Sequence, residues 1–210
     1  MMQAPTLPTR SRLIWNLPNI LTYGRMLAVP AVTALLFWHT ENWMRWLALA
    51  IFAAAAITDY FDGYLARAWQ QQSTLGRMLD PIADKLLVAA TLLMLVHAGT
   101  IQSWSIWAAI VILCREILVS GLREFLAELR VSVPVTALAK WKTAGQLIAI
   151  GFLIAGPAGE KLLPGTVPIG LSLLWIAAGL TIYTGWDYMQ AGMKHMIDDD
   201  ATIEGRGKPR

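Results

Sequence analysis

Residues Thr58 to Lys85 read TDYFDGYLARAWQQQSTLGRMLDPIADK and lie between two strongly apolar segments. On a helix, five positions spaced i, i+3, i+4, i+7 and i+8 form one stripe: Asp59, Asp62, Gly63, Ala66 and Arg67. A second stripe, spaced i, i+4 and i+8, follows: Gly76, Asp80 and Asp84. If the two helices are antiparallel neighbours joined near residues 70–74, the four carboxylates converge on one point.

These four carboxylates need compensating positive charge. An ionised carboxylate costs roughly 2.5 to 3.5 kcal/mol at the centre of a membrane helix, and Arg67 alone does not offset four of them. The stretch contains neither cysteine nor histidine, and oxygen ligands select hard ions such as Mg2+ or Mn2+ rather than zinc. Two such ions would balance the four aspartates, and the small residues on both stripes would let a bulky ligand approach the backbone.

The composition predicts an all-α, polytopic membrane protein. The chain has 210 residues, of which 56% are hydrophobic and only 15% charged, too apolar for a soluble domain of this size. A net charge of +3 is better explained by basic residues flanking membrane spans than by a nucleic-acid partner, so none is expected. The single cysteine, Cys114, excludes an internal disulfide framework.

Six transmembrane helices are expected, because six apolar segments are each about long enough for a hydrocarbon core of roughly 30 Å. They cover approximately 23–38, 43–69, 75–97, 103–126, 137–155 and 167–193. Before them, residues 13–22 are expected to form a short amphipathic helix at the membrane surface. The domain prediction is therefore a polar N-terminal segment (1–12), a membrane domain (13–193) and a polar C-terminal tail (194–210).

The basic residues predict the orientation of the chain. Of the 17 Lys and Arg residues, only Arg45 and Lys161 fall on one predicted side, which leaves 17 − 2 = 15 on the side of the aspartates and both termini. Cytoplasmic loops carry the excess of Lys and Arg. The aspartates and both termini are therefore expected on the cytoplasmic side.

The pattern D-x2-D-G-x2-A-R-x8-G-x3-D-x3-D, complete between Asp59 and Asp84, resembles the signature of the CDP-alcohol phosphotransferases. The resemblance implies integral membrane enzymes of phospholipid synthesis that transfer the phosphatidyl group of CDP-diacylglycerol to an alcohol and release CMP. It implies two divalent ions held by Asp59, Asp62, Asp80 and Asp84, with Asp84 also the general base. It further implies CDP contacts from Gly63, Arg67 and Ser73, with Ala66 and Gly76 beside them, and a homodimer.

The identity of the acceptor must be inferred from residues outside the aspartate signature. Basic residues expected on the cytoplasmic side include Arg25, Arg115, Arg123, Lys140 and Lys142. Arg115 and Arg123 are eight residues apart and share a helix face, and Arg115 lies deep in an apolar run, where a charge usually has a function. Such a cluster suits an acceptor that carries its own phosphate.

Three further stretches resemble the bacterial branch of the family that makes phosphatidylglycerophosphate: NLPNILTYGRML (16–27), CREILVSGLREFLA (114–127) and SVPVTALAKWKT (132–143). This resemblance implies sn-glycerol 3-phosphate as acceptor and the bacterial inner membrane as location. Asn19, Thr22 and Arg25 would line the nucleotide or phosphate pocket, or belong to an ordinary interfacial helix cap. Inositol phosphate or a second phosphatidylglycerol remains an alternative acceptor, and a divalent cation transporter is the non-enzymatic alternative.

Overall fold

The structure, a computed structural model, describes residues 17–38, 41–69, 74–128 and 137–206. These parts contain six α-helices and no strand, which confirms the all-α fold class. The helices are α1 (Leu17–Phe37), α2 (Asn42–Trp69), α3 (Thr74–His97), α4 (Ser105–Glu128), α5 (Ala137–Glu160) and α6 (Thr166–Arg206).

Three helices contain segments long and apolar enough to cross a membrane, judged by length and composition of the described residues: Asn19–Phe37, Ser105–Ala127 and Thr166–Gln190. The side chains of residues 60–77, at the adjoining ends of α2 and α3, lie outside the described part. The chain thus has the character of a membrane protein, and the count of six spans stays a prediction.

Helix boundaries differ from the expected ones in three places. Residues 17–22, expected in a separate surface helix, are the first turns of α1, and residues 13–16 lie outside the described part. Helix α3 begins at Thr74, within one residue of the expected start, whereas α5 ends at Glu160 rather than at residue 155. Helix α6 runs to Arg206 through residues predicted as a polar tail, and no Pro occurs between Lys194 and Arg206 to end it.

The described residues form two compact units, of which the first contains α1, α2, α3 and the segment Leu153–Thr166. Helix α1 packs against both α2 and α3. The core side chains recur at helical spacing, as in Val32 and Leu36 on α1 and in Ala48, Phe52 and Ala55 on α2. Alanines on α2 allow close helix packing, which brings polar groups of α1 near those of α2 and α3.

Helix α5 is interrupted within this first unit. Gly156 has φ 45° and ψ −131°, and Pro157 follows it without a backbone N–H group. Arg45 is buried and donates hydrogen bonds to the carbonyl of Ile154 (3.2 Å) and to the hydroxyl of Thr100 (3.2 and 3.3 Å). The guanidinium therefore satisfies a carbonyl next to the interruption.

The second unit contains the described residues of Ile101–Phe152 and Val167–Arg210. Its core is formed by regularly spaced side chains of α4 and α6: Ala108, Ile112, Val119, Leu126, Leu174, Ala177 and Ala178. Large apolar side chains on the same helices are exposed, among them Ile117, Trp175 and Tyr183. Exposed apolar surface of this kind is what helices in contact with lipid present.

Candidate active site

Three of the four predicted aspartates come together in the first unit. Asp59 lies on α2, whereas Asp80 and Asp84 lie one turn apart on α3. All three contact the guanidinium of Arg25 on α1. Nη1 donates to Asp59 Oδ1 (2.5 Å) and to Asp84 Oδ1 (2.5 Å), and Nη2 donates to Asp80 Oδ1.

Arg25 is the buried centre of this aspartate cluster. It is only 1% exposed, whereas the three carboxylates are 28% to 41% exposed. Asp59 and Asp84 both accept a hydrogen bond from Nη1 of Arg25. Carboxylate oxygens of α2 and α3 therefore meet at the same guanidinium nitrogen. The convergence expected from the two stripes is therefore present for these three carboxylates.

Helix α1 supplies further polar groups. Asn19 and Thr22 are buried on this helix, and the Thr22 hydroxyl lies 3.4 Å from Asp80 Oδ1. The sequence predicted Arg25, Thr22 and Asn19 as pocket residues. Thr22 and Arg25 do lie at the aspartates. Of the basic residues predicted to bind the acceptor, Arg25 therefore belongs to the first unit, whereas Arg115, Arg123 and Lys142 belong to the second.

The donor set of the aspartate cluster fits a hard divalent cation. Three carboxylate oxygens already surround one positively charged group, and their contacts within the described residues include no sulfur or imidazole group. Within the described residues, however, no group of three or more His, Cys, Asp or Glu side chains has the arrangement of a metal site. The side chain of Asp62, the fourth predicted ligand, is not among those described.

Several predicted site residues lie outside the described part of the chain. Ser73 does so entirely. For six others only the backbone is described, as helical: Asp62, Gly63, Ala66, Arg67, Gly76 and Lys140. Their predicted roles stay predictions.

The second unit contains a cluster of basic residues around Glu116, formed by Arg115, Arg123 and Lys142. Glu116 Oε1 accepts hydrogen bonds from Arg115 Nη1 (3.1 Å) and from Lys142 Nζ. Arg115 and Arg123 lie close enough to Lys142 for their charges to interact with its ammonium group. Three positive charges and one negative charge give this cluster a net charge of +2.

Two residues of α6 hold Arg115. Its Nε donates to the carbonyl of Thr181 (3.2 Å), and its Nη2 donates to the hydroxyl of Thr184 (3.2 Å). Gly185 lies against the same side chain, since a Cβ atom there would be 3.1 Å from Arg115 Cγ. Arg115 is therefore fixed by hydrogen bonds from all three of its nitrogens.

Sequence reasoning missed two residues of this cluster. Glu116 carried the signal used for Arg115, a charge within an apolar run, but was not singled out. Tyr188, whose ring centroid lies 5.6 Å from the guanidinium carbon of Arg123, carried no distinguishing signal, because aromatic residues are common near the ends of membrane spans.

The sequence matches the CDP-alcohol phosphatidyltransferase family over residues 15–183. It is 40% identical to a CDP-diacylglycerol–glycerol-3-phosphate 3-phosphatidyltransferase of Cereibacter sphaeroides, over 88% of this chain and 99% of the relative. A protein of the same name from Rickettsia bellii is 45% identical, over 86% and 97%. A third, numbered 2, from Arabidopsis thaliana is 42% identical, over 87% and 82%.

Proposed function

Because the chain belongs to the CDP-alcohol phosphatidyltransferase family, we propose that it transfers the phosphatidyl group of CDP-diacylglycerol to sn-glycerol 3-phosphate. The products are phosphatidylglycerophosphate and CMP. The observation that carries this proposal is the identity of 40% to 45%, over most of both chains, to bacterial relatives named for that reaction. The convergence of Asp59, Asp80 and Asp84 on the guanidinium of Arg25 supports the proposed reaction independently.

The four aspartates of the signature would hold divalent metal ions, which members of this family generally use. Asp59, Asp62, Asp80 and Asp84 are the proposed ligands, and two Mg2+ or Mn2+ ions would match their charge. Bound there, the ions would supply electrostatic stabilisation of the pyrophosphate and of the departing CMP.

Asp84 is the proposed general base. Its carboxylate would take the proton from the attacking hydroxyl of the acceptor, which is the contribution of a positioned base to such a transfer. Contacts to CDP are assigned to residues of the signature and of α1: Gly63, Ala66, Arg67, Ser73, Gly76, Asn19 and Thr22. Arg67 would hold a phosphate with its fork of donors.

The basic cluster of the second unit would bind the phosphate of the acceptor. Arg115, Arg123 and Lys142 belong to it, Lys140 is a further candidate, and Arg25 is the candidate from the first unit. A net charge of +2 matches a phosphate monoester better than it matches an acceptor of zero net charge such as serine. The alternative acceptors, inositol phosphate and phosphatidylglycerol, also carry a phosphate.

The protein is proposed to lie in the bacterial inner membrane as a homodimer, surrounded by membrane lipids, with its aspartates and both termini in the cytoplasm. Three helices have the length and composition of membrane spans, and the distribution of Lys and Arg supports this orientation. A cytoplasmic site gives soluble sn-glycerol 3-phosphate direct access.

The test is CMP release by the purified protein in detergent with CDP-diacylglycerol and Mg2+. We expect release that depends on sn-glycerol 3-phosphate and stops when a chelator is added. Release that requires another alcohol would overturn the acceptor assignment. Metal flux across sealed vesicles without any nucleotide would instead support the transporter alternative.

A matched pair of variants tests the role of Asp84. We expect Asp84→Asn to lower CMP release by about 100-fold or more at every acceptor concentration, because the variant lacks a proton acceptor. Asp199→Asn makes the same chemical change in the polar segment 198–200 and is expected to leave release unchanged. Ordinary turnover by Asp84→Asn would exclude the general-base role.

A further inference from the structure

Arg123 differs from the other basic residues of its cluster in how it is held. Arg115 uses all three nitrogens in hydrogen bonds to protein groups, and Lys142 is buried against Glu116. Arg123 is exposed on α4, and in the described parts of the chain no oxygen accepts a hydrogen bond from its guanidinium. Its contact is with the ring of Tyr188 on α6, at 5.6 Å from the centroid.

An aromatic ring holds a guanidinium in a way that leaves its donors available. The cation lies over the face of the ring and is attracted by the negative electrostatic potential there. The N–H groups of a guanidinium point outward in its own plane, where they match two oxygens of a phosphate. A carboxylate partner would occupy those donors, whereas a ring does not.

We propose that Tyr188 is a positioning residue that holds Arg123 ready to bind the phosphate of the acceptor. This inference rests on the proposed function, and it assigns Arg123 as the residue of the basic cluster that contacts the phosphate most directly. Tyr188 lies beyond residues 15–183, the part that matches the family, so the assignment comes from the geometry of this chain. Arg115, Lys142 and Glu116 form the fixed charged surroundings of this contact.

The test compares Tyr188→Leu with Tyr188→Phe in the full-length protein. Leucine removes the ring, so we expect the KM for sn-glycerol 3-phosphate to rise about two- to fivefold, the range of a cation–π contact at an exposed site. Phenylalanine keeps the ring face and is expected to retain the parent KM. The kcat and the KM for CDP-diacylglycerol should stay unchanged in both variants.

Two further variants separate positioning from general structural support. Tyr183→Leu makes the same substitution on the same helix at an exposed tyrosine and should behave like the parent protein. Arg123→Met should raise the acceptor KM by itself, and adding Tyr188→Leu should then have no further effect, because the pair acts as a unit. Additive effects would overturn the proposal, as would equal effects of Tyr188→Leu and Tyr188→Phe.

Equilibrium binding distinguishes failure of this inference from failure of the proposed function. Binding of sn-glycerol 3-phosphate is measured by calorimetry in detergent, without CDP-diacylglycerol, for the parent protein and the same variants. A two- to fivefold higher Kd for Tyr188→Leu alone would support the positioning role even if no CMP were released. A parent protein that does not bind the compound, or a Kd indifferent to Tyr188→Leu, would overturn it.

Discussion

At the scale of single residues, Arg25 explains how three carboxylates of an apolar protein lie side by side. Its guanidinium reaches Asp59, Asp80 and Asp84 together from a position that is 1% exposed. Without this positive charge, the carboxylates would repel one another in a setting that screens charge less well than water. Arg25 therefore compensates the cluster when no metal ion does so.

Replacement of Arg25 with Met is expected to destabilise the protein most strongly in the presence of a chelator. Removing one partner of a buried ion pair typically costs roughly 3 to 5 kcal/mol, and the partial exposure of the carboxylates reduces this to on the order of 2 kcal/mol. Thermal unfolding in detergent measures the effect. Because Mg2+ would replace the lost charge, it should raise the melting temperature of Arg25→Met more than that of the parent protein.

Arg25→Lys is the control, since it keeps the charge but not the fork of donors. It should unfold between the parent and Arg25→Met. If Mg2+ shifts all three proteins equally, Arg25 and the metal do not share the same carboxylates.

Gly185 tests how closely Arg115 must be placed. An alanine Cβ at this position would lie 3.1 Å from Arg115 Cγ and 3.3 Å from its Nε, so the side chain must move by a few tenths of an ångström. We expect Gly185→Ala to weaken the contact of Nε with the Thr181 carbonyl and to raise the acceptor KM about two- to tenfold. Gly179→Ala, on the same helix with open space around it, should leave the KM unchanged.

Features that depend on spacing within one segment could be predicted from the sequence, whereas contacts between distant segments could not. The stripes of Asp59 and of Asp80 and Asp84 follow from helical spacing alone, and their convergence follows if the two helices are antiparallel neighbours. The contact of Arg25 with them depends on how α1 lies against two other helices, which spacing within one segment does not determine. The same limit applies to Tyr188, which meets Arg123 from a helix more than sixty residues further along the chain.

At the scale of elements, α5 is the least regular helix of the described chain. The apolar segment was predicted to end at residue 155, just before the interruption at Gly156. The helix itself ends at Glu160. Gly156 is required there for two reasons. Its φ of 45° is unfavourable for other residues, and an added Cβ would lie 2.5 Å from Arg45 Nη1.

Gly156→Ala is therefore expected to lower the melting temperature in detergent and the yield of folded protein. Displacement of Arg45 would leave the Ile154 carbonyl and the Thr100 hydroxyl without their donor, a loss of about 1 to 3 kcal/mol in addition to backbone strain. Gly145→Ala is the matched control on the same helix, because an added Cβ there would have no atom within 4 Å other than those of the adjoining helix backbone. Equal stability of the two variants would show that the interruption tolerates a side chain.

At the scale of the whole molecule, composition and periodicity sufficed for an all-α membrane protein, and the signature sufficed for the family. The proposed orientation in the membrane rests on a different property, the distribution of basic residues. Fifteen of the 17 Lys and Arg residues fall on the predicted cytoplasmic side, and the two exceptions are far apart in sequence, Arg45 and Lys161. Arg45 is buried against Thr100 and Ile154, so its charge is held by the fold.

Cysteine labelling in intact cells tests the orientation. In a Cys114→Ser background, we expect Lys161→Cys to react with a membrane-impermeant maleimide added outside the inner membrane, because residue 161 lies in a predicted external loop. Thr202→Cys, in the segment after the last predicted span, should react only after the membrane is permeabilised. The reverse pattern would place the aspartates outside, away from cytoplasmic sn-glycerol 3-phosphate, and would contradict the proposed reaction as well as the orientation.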